Sequence, residues 1–365
     1  MDSLNLIKND PWLEPYKTDI EHRFQLSVSK EKELAGKGKS LSDFADGYLY
    51  FGLHKTEQGW VIREWAPNAT DIFLIGNFSE WKENTKYRFS KLKNGVWELK
   101  LKTGEIKHLD LYKLSMHWNG GHGERIPAWA TRVVQDEKTY IFSAQVWSPS
   151  RPYKFKKKKF KPQISPLLIY ECHIGMAQEE ERIGSYNEFR EKILPRIAKD
   201  GYNAIQIMAI QEHPYYGSFG YHVSSFFAPS SRFGTPDELK QLIDEAHASG
   251  IAVIMDIVHS HAVKNEVEGL GRFDGSYNQF FYGDHRREHP AWDSLCFDYG
   301  KNEVIHFLLS NCKYWLEEFK FDGFRFDGVT SMLYYDHGLG KAFGSYNDYY
   351  DGGQMRSRIL LWQIN

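Results

Sequence analysis

The stretch "IAVIMDIVHSH", residues 251–261, decides the fold of this 365-residue chain. It begins as an almost continuous apolar run, which is typical of a strand buried on both faces in a parallel sheet. Its polar side chains, Asp256, His259 and His261, come where the apolar run ends. The stretch therefore predicts a central parallel strand with polar chemistry at its carboxyl end.

Three further runs repeat this pattern, and helical patterns lie between them. The runs are "LLIYECH" (167–173), "NAIQIMAI" (203–210) and "FDGFRFD" (321–327). In "TPDELKQLIDEAHASG", Thr235 suits a helix cap, Pro236 suits the first helical position, and Glu238 completes a capping box. Alternating strands and helices predict a parallel sheet, either half of an eight-stranded barrel or an open doubly wound sheet. A nucleotide-binding sheet is disfavoured because no glycine-rich phosphate loop follows the first strand.

The pattern along the rest of the chain predicts four segments. Residues 1–45 read as a helical segment. Residues 46–150 contain short strands such as "VWELKLK" (96–102), which alternates apolar and polar side chains, and indicate a β-sandwich. Residues 151–166 are basic and proline-containing, which favours a solvated linker over a nucleic-acid or lipid contact. Residues 167–365 carry the strand–helix alternation.

Composition indicates a cytoplasmic globular protein. Hydrophobic residues make up 41% and charged residues 26% of the chain, and the formal net charge is -2. That charge argues against a nucleic-acid partner. The three scattered cysteines indicate a reducing compartment. No signal peptide is visible, and no run of about 18 apolar residues predicts a membrane span.

The strand ends carry the candidate chemistry. In "GFRFDGVTS", residues 323–331, side chains alternate, so Arg325 and Asp327 share one face of the strand. A neighbouring guanidinium favours an ionised carboxylate, which a nucleophile requires. The alternative is an Arg–Asp pair that only closes the sheet. Asp256 and His261 suit sugar hydroxyls, or they cap the following loop. A metal site is not predicted, because this pair lacks a third ligand.

Aromatic side chains are the second candidate set. Tyr221, between Gly220 and His222, suits stacking on a pyranose ring. Trp65 and Trp81 belong to a group of sandwich tryptophans that form either a stacking platform or part of the core.

Several of these motifs together resemble one family. "YECHIGMAQEEERIGSYNEF", "QEHPYYGSFGYH", "LIDEAHASGIAVIMDIVHSHA" and "DGFRFDGVTSMLYYDHG" are similar to the eukaryotic 1,4-α-glucan branching enzymes of the α-amylase clan. The resemblance implies an α/β fold, the first half of a (β/α)8 TIM barrel of α-amylase type. An all-β immunoglobulin-like sandwich and a short helical amino-terminal segment are expected before it.

The resemblance also implies roles for individual residues. Asp327 matches the catalytic nucleophile, and Arg325 matches the arginine that orients it. The residues expected to bind substrate are Asp256, His261, Tyr221, His213, Trp65 and Trp81. The expected partner is an α-1,4-glucan such as glycogen or amylose, with no metal, cofactor, nucleic acid or membrane. The protein is expected to act as a monomer.

A retaining mechanism needs a second carboxyl group as acid and base. The resemblance places that glutamate on a fifth strand, and we expect it to be missing from a carboxyl-terminally truncated chain. The last residues, 355–365, do not resemble the family, and a frameshift is one hypothesis for them. We therefore expect the chain alone to be inactive in branching. The alternatives are an α-1,4-glucan hydrolase, a debranching relative, or a non-catalytic glucan-binding fragment.

Overall fold

A computed structural model describes residues 3–157, 159–162, 166–334 and 336–345. The chain divides into two compact units. The larger unit holds residues 48–297 and 314–327, and its members include every candidate site residue. The described part of the smaller unit comprises residues 3–47, 298–313, 328–334 and 336–345. None of the described helices is long and apolar enough to span a bilayer.

The amino-terminal segment is helical, as predicted. Its helices are α1 (Ser3–Asn9), a 3-10 helix (Pro11–Tyr16), α2 (Lys17–Ala35), α3 (Leu41–Phe44) and α4 (Gly47–Tyr50). Ile7, Leu13 and Ile20 are buried together, with Tyr16 packed against them. This small apolar cluster holds α1, the 3-10 helix and α2 against one another.

Nine strands form the two antiparallel sheets of the sandwich. The strands are β1 (Gly52–Thr56), β2 (Gly59–Trp65), β3 (Ala69–Gly76), β4 (Ser90–Lys91), β5 (Val96–Lys102), β6 (Leu111–Trp118), β7 (Gly121–Arg125), β8 (Val133–Gln135) and β9 (Phe142–Gln145). One sheet has the order β1-β2-β5-β4. The other has the order β3-β6-β9-β8, with β7 paired to β6.

The alternation in β5 explains how the sandwich forms its core. Trp97, Leu99 and Leu101 are buried, whereas Glu98 and Lys100 face outward. Glu98 accepts a hydrogen bond of 2.7 Å from Arg63 on β2. Apolar side chains on one face and paired charges on the other are the expected arrangement for a half-buried antiparallel strand.

Four parallel strands follow, in the order β10-β11-β14-β17. They are β10 (Ile169–Cys172), β11 (Ala204–Ile207), β14 (Ala252–Ile257) and β17 (Gly323–Phe326). The connections and the residues after β17 contain two pairs of short antiparallel strands and several helices. These are β12 (Gln211–Glu212) with β13 (Ser225–Pro229), β15 (Ala262–Val263) with β16 (Ser294–Leu295), α5 (Tyr186–Glu188), a π-helix (Phe189–Ile193), α6 (Leu194–Lys199), α7 (Pro236–Ala248), α8 (Asn302–Glu318) and α9 (Val329–Leu333).

Helix α7 begins as its sequence predicts. The Thr235 side chain accepts a hydrogen bond from the backbone N–H of Glu238, and the Glu238 carboxylate accepts one from the backbone N–H of Thr235. This capping box satisfies backbone donors that the first turn leaves free. The strand–helix alternation and the sandwich together confirm the predicted fold class.

The expectation that every parallel strand is buried on both faces is wrong for β10 and for β17, none of whose residues is fully buried. Leu168, in the apolar run that leads into this strand, is 51% exposed, and Ile169 and Tyr170 are also exposed. The reason is position: β10 and β17 are the outer strands among the four described, and each pairs on one side only. Barrel closure covers such side chains.

The basic segment between sandwich and sheet is anchored to α7. The backbone N–H groups of Lys156 and Lys157 and the hydroxyl of Tyr153 donate hydrogen bonds of 2.7 to 2.8 Å to Asp244. The lysine side chains themselves are exposed. Lys156 and Lys157 are therefore solvated at their side chains, whereas their backbone is fixed to the helix.

The sandwich also contacts the loop that follows β15. Arg125 donates hydrogen bonds to the carbonyl oxygens of Arg272 and Phe273, at 3.0 and 3.2 Å. Gly275 lies against the ring of Trp118. A Cβ atom on residue 275 would be only 2.1 Å from Cγ of Trp118. The contact therefore requires a residue without a side chain.

We predict that Gly275→Ala destabilises the protein more than Gly201→Ala. Both glycines have positive φ angles, +84° and +86°, so both substitutions carry the cost of a left-handed backbone, about 1 to 2 kcal/mol. Only Gly275→Ala also clashes, which adds about 1 to 3 kcal/mol. Urea denaturation of both variants measures the difference. Equal losses would contradict the described packing of Trp118.

Candidate active site

A single arginine joins two carboxylates at the carboxyl ends of neighbouring strands. Arg325 on β17 lies opposite Asp256 on β14 in the parallel register. Its Nη1 is 3.0 Å from each carboxylate oxygen of Asp256 and 2.6 Å from Oδ1 of Asp327. The backbone N–H of Asp327 donates to the carbonyl oxygen of Ile257, at 3.0 Å. Arg325 and Asp327 therefore lie on the same face of the strand, as the alternation of side chains predicted, and contact each other.

The two carboxylates differ in their access to solvent. The side chain of Asp256 is 0% exposed, whereas that of Asp327 is 23% exposed and that of Arg325 is 44% exposed. Burial raises the pKa of Asp256, and the hydrogen bonds from Arg325 and Tyr221 oppose that effect. Burial also disfavours the charge on Arg325, but its bonds to Asp256 and Asp327 outweigh burial and raise the pKa of the guanidinium.

Tyr221, in the loop between β12 and β13, contacts the buried carboxylate of Asp256. Its hydroxyl donates a hydrogen bond of 2.8 Å to Oδ2 of Asp256. Burial, together with the nearby negative charge of Asp256, raises the pKa of the phenol, so the hydroxyl keeps its proton and remains a donor. Asp256 therefore receives hydrogen bonds from both Arg325 and Tyr221.

The loop that carries Tyr221 is held by a buried ion pair and a close backbone contact. Glu212 is completely buried and accepts hydrogen bonds from Ser230, Ser231 and Arg232. A Cβ atom at Gly220, whose φ is +90°, would lie 1.9 Å from the carbonyl oxygen of Ala209. The residue before Tyr221 is therefore a glycine for steric reasons.

His261 also supports Tyr221. Its Nε2 is 2.8 Å from the carbonyl oxygen of Tyr221, so this nitrogen carries the proton. Its Nδ1 is 2.9 Å from the hydroxyl of Ser260, which can donate to it. The imidazole is thus neutral, and both of its nitrogens have a hydrogen-bond partner within the protein. Burial lowers the pKa of His261 to about 4.

Asp256, Arg325, Asp327, Tyr221 and His261 form what we call the five-residue cluster, and His213, Trp65 and Trp81 have other contacts. His213 is buried; its Nδ1 is 2.9 Å from the carbonyl oxygen of Gln211, and its Nε2 has no hydrogen-bond partner among the described residues. Trp65 is partly buried, with its ring 5.5 Å from that of Phe280. Trp81, in the sandwich, is 40% exposed.

Two residues of the site were not predicted from the sequence. Ser260 occupies Nδ1 of His261, and the ring of Trp292 lies 5.3 Å from that of His261 and stacks on His289 at 4.0 Å. The contact of Ser260 could have been predicted, because this serine directly precedes His261 in "HSH". Trp292 lies in a loop whose path depends on tertiary structure. Within the described ranges, no group of three His, Cys, Asp or Glu side chains is arranged to hold a metal ion.

We predict that His261 stays neutral down to about pH 4. The unfolded chain takes up this proton near pH 6.5, so the stability that His261 contributes is complete above pH 6.5 and is lost as the pH falls toward 4. A histidine ¹³C–¹H NMR titration, with the resonance assigned by its loss in His261→Gln, measures the midpoint. A midpoint near 6.5 would contradict the described hydrogen bonds.

Two sequence families match parts of the chain. Residues 50–130 match carbohydrate-binding module 48, the isoamylase N-terminal domain. Residues 179–295 match the catalytic domain of α-amylases. The first match covers most of the sandwich, and the second contains Tyr221, Asp256 and His261.

Two solved structures share the fold at low sequence identity. A putative α-amylase from Salmonella typhimurium aligns with a TM-score of 0.63 and 22% identity, over 77% of this chain and 44% of its own. The pullulanase SAP of group B Streptococcus, in complex with maltotetraose, aligns with a TM-score of 0.62 and 21% identity, over 76% of this chain and 41% of its own.

Curated relatives match almost the whole chain. A 1,4-alpha-glucan-branching enzyme of Yarrowia lipolytica is 47% identical over 99% of this chain and 53% of its own length. Those of Dictyostelium discoideum and Equus caballus are 44% and 45% identical, over 96% and 94% of this chain and 52% and 50% of their own lengths. The chain thus spans about half the length of these relatives. It belongs to the family of the 1,4-alpha-glucan-branching enzymes.

Proposed function

We propose that the five-residue cluster is the nucleophile side of a 1,4-α-glucan branching centre. The protein would cleave an α-1,4-glucan such as glycogen or amylose and transfer the cleaved chain to a 6-hydroxyl, forming an α-1,6 branch. The observation that carries the proposal is Arg325 Nη1, which lies within 3.0 Å of both Asp256 and Asp327. The curated relatives, which are named 1,4-alpha-glucan-branching enzymes, support it.

Asp327 is the better nucleophile of the two carboxylates. Both oxygens of Asp256 are hydrogen-bonded and the side chain is fully buried, so substrate has no access to it. Asp327 is partly exposed and fixed by Arg325 and by its backbone hydrogen bond to Ile257. Arg325 donates a hydrogen bond of 2.6 Å to the Asp327 carboxylate and so fixes its direction.

The reaction has two steps. In the first, an Asp327 oxygen bonds to the anomeric carbon, the glycosidic bond breaks, and the leaving 4-oxygen receives a proton from a second carboxyl group. In the second, the acceptor 6-hydroxyl bonds to the anomeric carbon, gives its proton to that carboxylate, and releases Asp327. The family resemblance assigns the second carboxyl group to a glutamate on a fifth strand.

Tyr221, His213, Trp65 and Trp81 take binding roles in this proposal, whereas Asp256 and His261, which the sequence predicted to bind substrate, take positioning roles. Tyr221 stacks on the sugar that is cleaved. Asp256 fixes Tyr221 and Arg325, and His261 fixes Tyr221. His213 has one nitrogen without a protein partner among the described residues, which suits a sugar hydroxyl or a water molecule. Trp65 and Trp81 serve glucan binding on the sandwich. We also propose a cytoplasmic monomer that needs no metal or cofactor.

We predict that α-maltotriosyl fluoride labels Asp327 covalently. Fluoride departs without a proton, so this substrate separates the nucleophile from the acid. The Asp327 oxygen forms the bond to the anomeric carbon as the carbon–fluorine bond breaks. Intact-mass and peptide mass spectrometry should show one maltotriosyl adduct on the peptide containing Asp327.

Asp327→Asn should abolish the adduct, because an amide is a far weaker nucleophile. Asp200→Asn, at an exposed position, is the matched control and should label like the unaltered chain. An adduct that persists in Asp327→Asn, or that maps to another residue, would refute the assignment of the nucleophile.

We predict that a polypeptide of just these 365 residues does not branch amylose. Natural glucans need the second carboxyl group to protonate the leaving oxygen, and the resemblance places that group on a further strand. The iodine absorbance of amylose should therefore stay constant over hours of incubation. A steady fall in absorbance would show that some carboxyl group within these residues acts as the acid.

A further inference from the structure

The indole of Trp292 contacts the five-residue cluster without belonging to it. The centroid of its ring lies 5.3 Å from that of His261, at an interplanar angle of 55°. Trp292 comes shortly before β16, which pairs with β15, and β15 directly follows His261. The pairing of these two short strands therefore brings the end of the intervening loop, residues 264–293, close to the site.

The orientation of the indole is fixed by His289. The two rings stack with their centroids 4.0 Å apart and an interplanar angle of 3°. His289 is buried, and its Nδ1 accepts hydrogen bonds of 3.2 Å from the backbone N–H groups of Ala291 and Trp292. Its own backbone N–H donates to the carbonyl oxygen of Ser294, at 2.9 Å. The turn from residue 289 to residue 294 therefore closes on itself and holds Trp292 in place.

We propose that Trp292 is a positioning residue for Tyr221 and that it acts through His261. The indole keeps water away from the imidazole, and the neutral imidazole in turn supports the backbone of Tyr221. The inference rests on the proposed function for the role of Tyr221, but its tests use no substrate.

The hydrogen bonds of His261 require the neutral imidazole. Nε2 donates to the carbonyl oxygen of Tyr221 at 2.8 Å, and Nδ1 lies 2.9 Å from the hydroxyl of Ser260. A protonated imidazole has two donors and no acceptor, so its Nδ1 would no longer accept from Ser260. Protonation would therefore change one of the two contacts that fix the ring beneath Tyr221.

Trp292 opposes this protonation because it packs on the imidazole. His261 is only 4% exposed, and burial lowers its pKa to about 4. Trp292 is itself partly exposed, so removing its ring would open His261 to water. Water stabilises the charged form of a histidine, and the pKa of His261 would then rise toward its ordinary value.

The charged and titratable groups around His261 do not replace the effect of burial. The negative charge of Asp327 favours the protonated form, whereas His222, whose ring lies 6.3 Å away, opposes it. Asp293, next to Trp292 in the chain, is paired with Lys264 at 2.7 Å. Because Asp327 favours protonation, the exclusion of water is what keeps His261 neutral.

The variant Trp292→Ala tests whether the indole shields His261. In this variant His261 should titrate between about pH 5 and 6.5 instead of near pH 4, because water can solvate the imidazolium. A histidine ¹³C–¹H NMR titration of the 365-residue chain measures the midpoint. Trp292→Phe keeps an aromatic ring and should restore a midpoint near 4. Trp12→Ala, which removes a tryptophan that is 81% exposed, is the matched control.

Hydrogen–deuterium exchange tests whether the shielding positions Tyr221. At pH 5, peptides covering residues 218–224 should exchange about threefold faster in Trp292→Ala than in the unaltered chain, because the loop opens more often. At pH 8, where His261 is neutral in both, the rates should agree. Trp292→Phe and Trp12→Ala should match the unaltered chain at both pH values. Circular dichroism checks the fold, and Trp292→Gln repeats both tests if the alanine variant does not fold.

The outcomes also separate this inference from the proposed function. A midpoint that stays near 4 in Trp292→Ala would overturn the inference, and so would a higher midpoint without faster exchange. Exchange that is equally fast at pH 5 and pH 8 would mean that Trp292 acts by packing alone, which also contradicts it. A higher midpoint with faster exchange only at pH 5 would support it, even if α-maltotriosyl fluoride does not label Asp327 and the proposed function fails.

Discussion

Arg325 places one positive charge between two carboxylates, and the geometry of the site depends on this interaction. Without the guanidinium, Asp256 would be a buried charge with only the Tyr221 hydroxyl to compensate it. Removing one partner of a buried ion pair is costly because the remaining charge stays desolvated. Asp256, in turn, fixes the guanidinium and the Tyr221 hydroxyl. The partly exposed Asp327 then receives a counter-charge whose position is set by a buried group.

Residues far from Arg325 in the sequence hold Tyr221 in this arrangement. The Tyr221 loop begins after Glu212, whose buried carboxylate accepts hydrogen bonds from Ser230, Ser231 and Arg232 beyond β13. The two ends of the loop meet where Ser224 donates to the carbonyl oxygen of Glu212. Gly220 lets the loop pass against the carbonyl of Ala209. His261 accepts a hydrogen bond from Ser260 and donates one to the Tyr221 carbonyl. Each contact removes freedom from the aromatic ring, so the protein itself holds Tyr221 in place.

Local sequence patterns predicted some contacts of the site but not others. Period-two alternation predicted that Arg325 and Asp327 share a face, and the capping box of α7 could be identified from three residues. The register that sets Arg325 opposite Asp256 joins residues far apart in the sequence, so no local pattern contains it. The family resemblance supplied the roles. It did not indicate that His261 would use both nitrogens within the protein.

The exposure of β10 shows another limit of sequence patterns. Its apolar run indicates burial, but burial also depends on which strands lie beside it. Sequence composition describes what a strand can pack against, whereas the neighbours decide whether it does. The same limit applies to Trp292, whose contact with His261 depends on the path of a long loop.

The contacts that fix Asp327 have a consequence for synthesis. Its backbone donates to Ile257 and its carboxylate accepts from Arg325, which is itself bound to Asp256, and all three partners precede Asp327 in the chain. Domains form in order as the polypeptide leaves the ribosome. All the residues that fix Asp327, the proposed nucleophile, are therefore already synthesised when Asp327 itself is added to the chain.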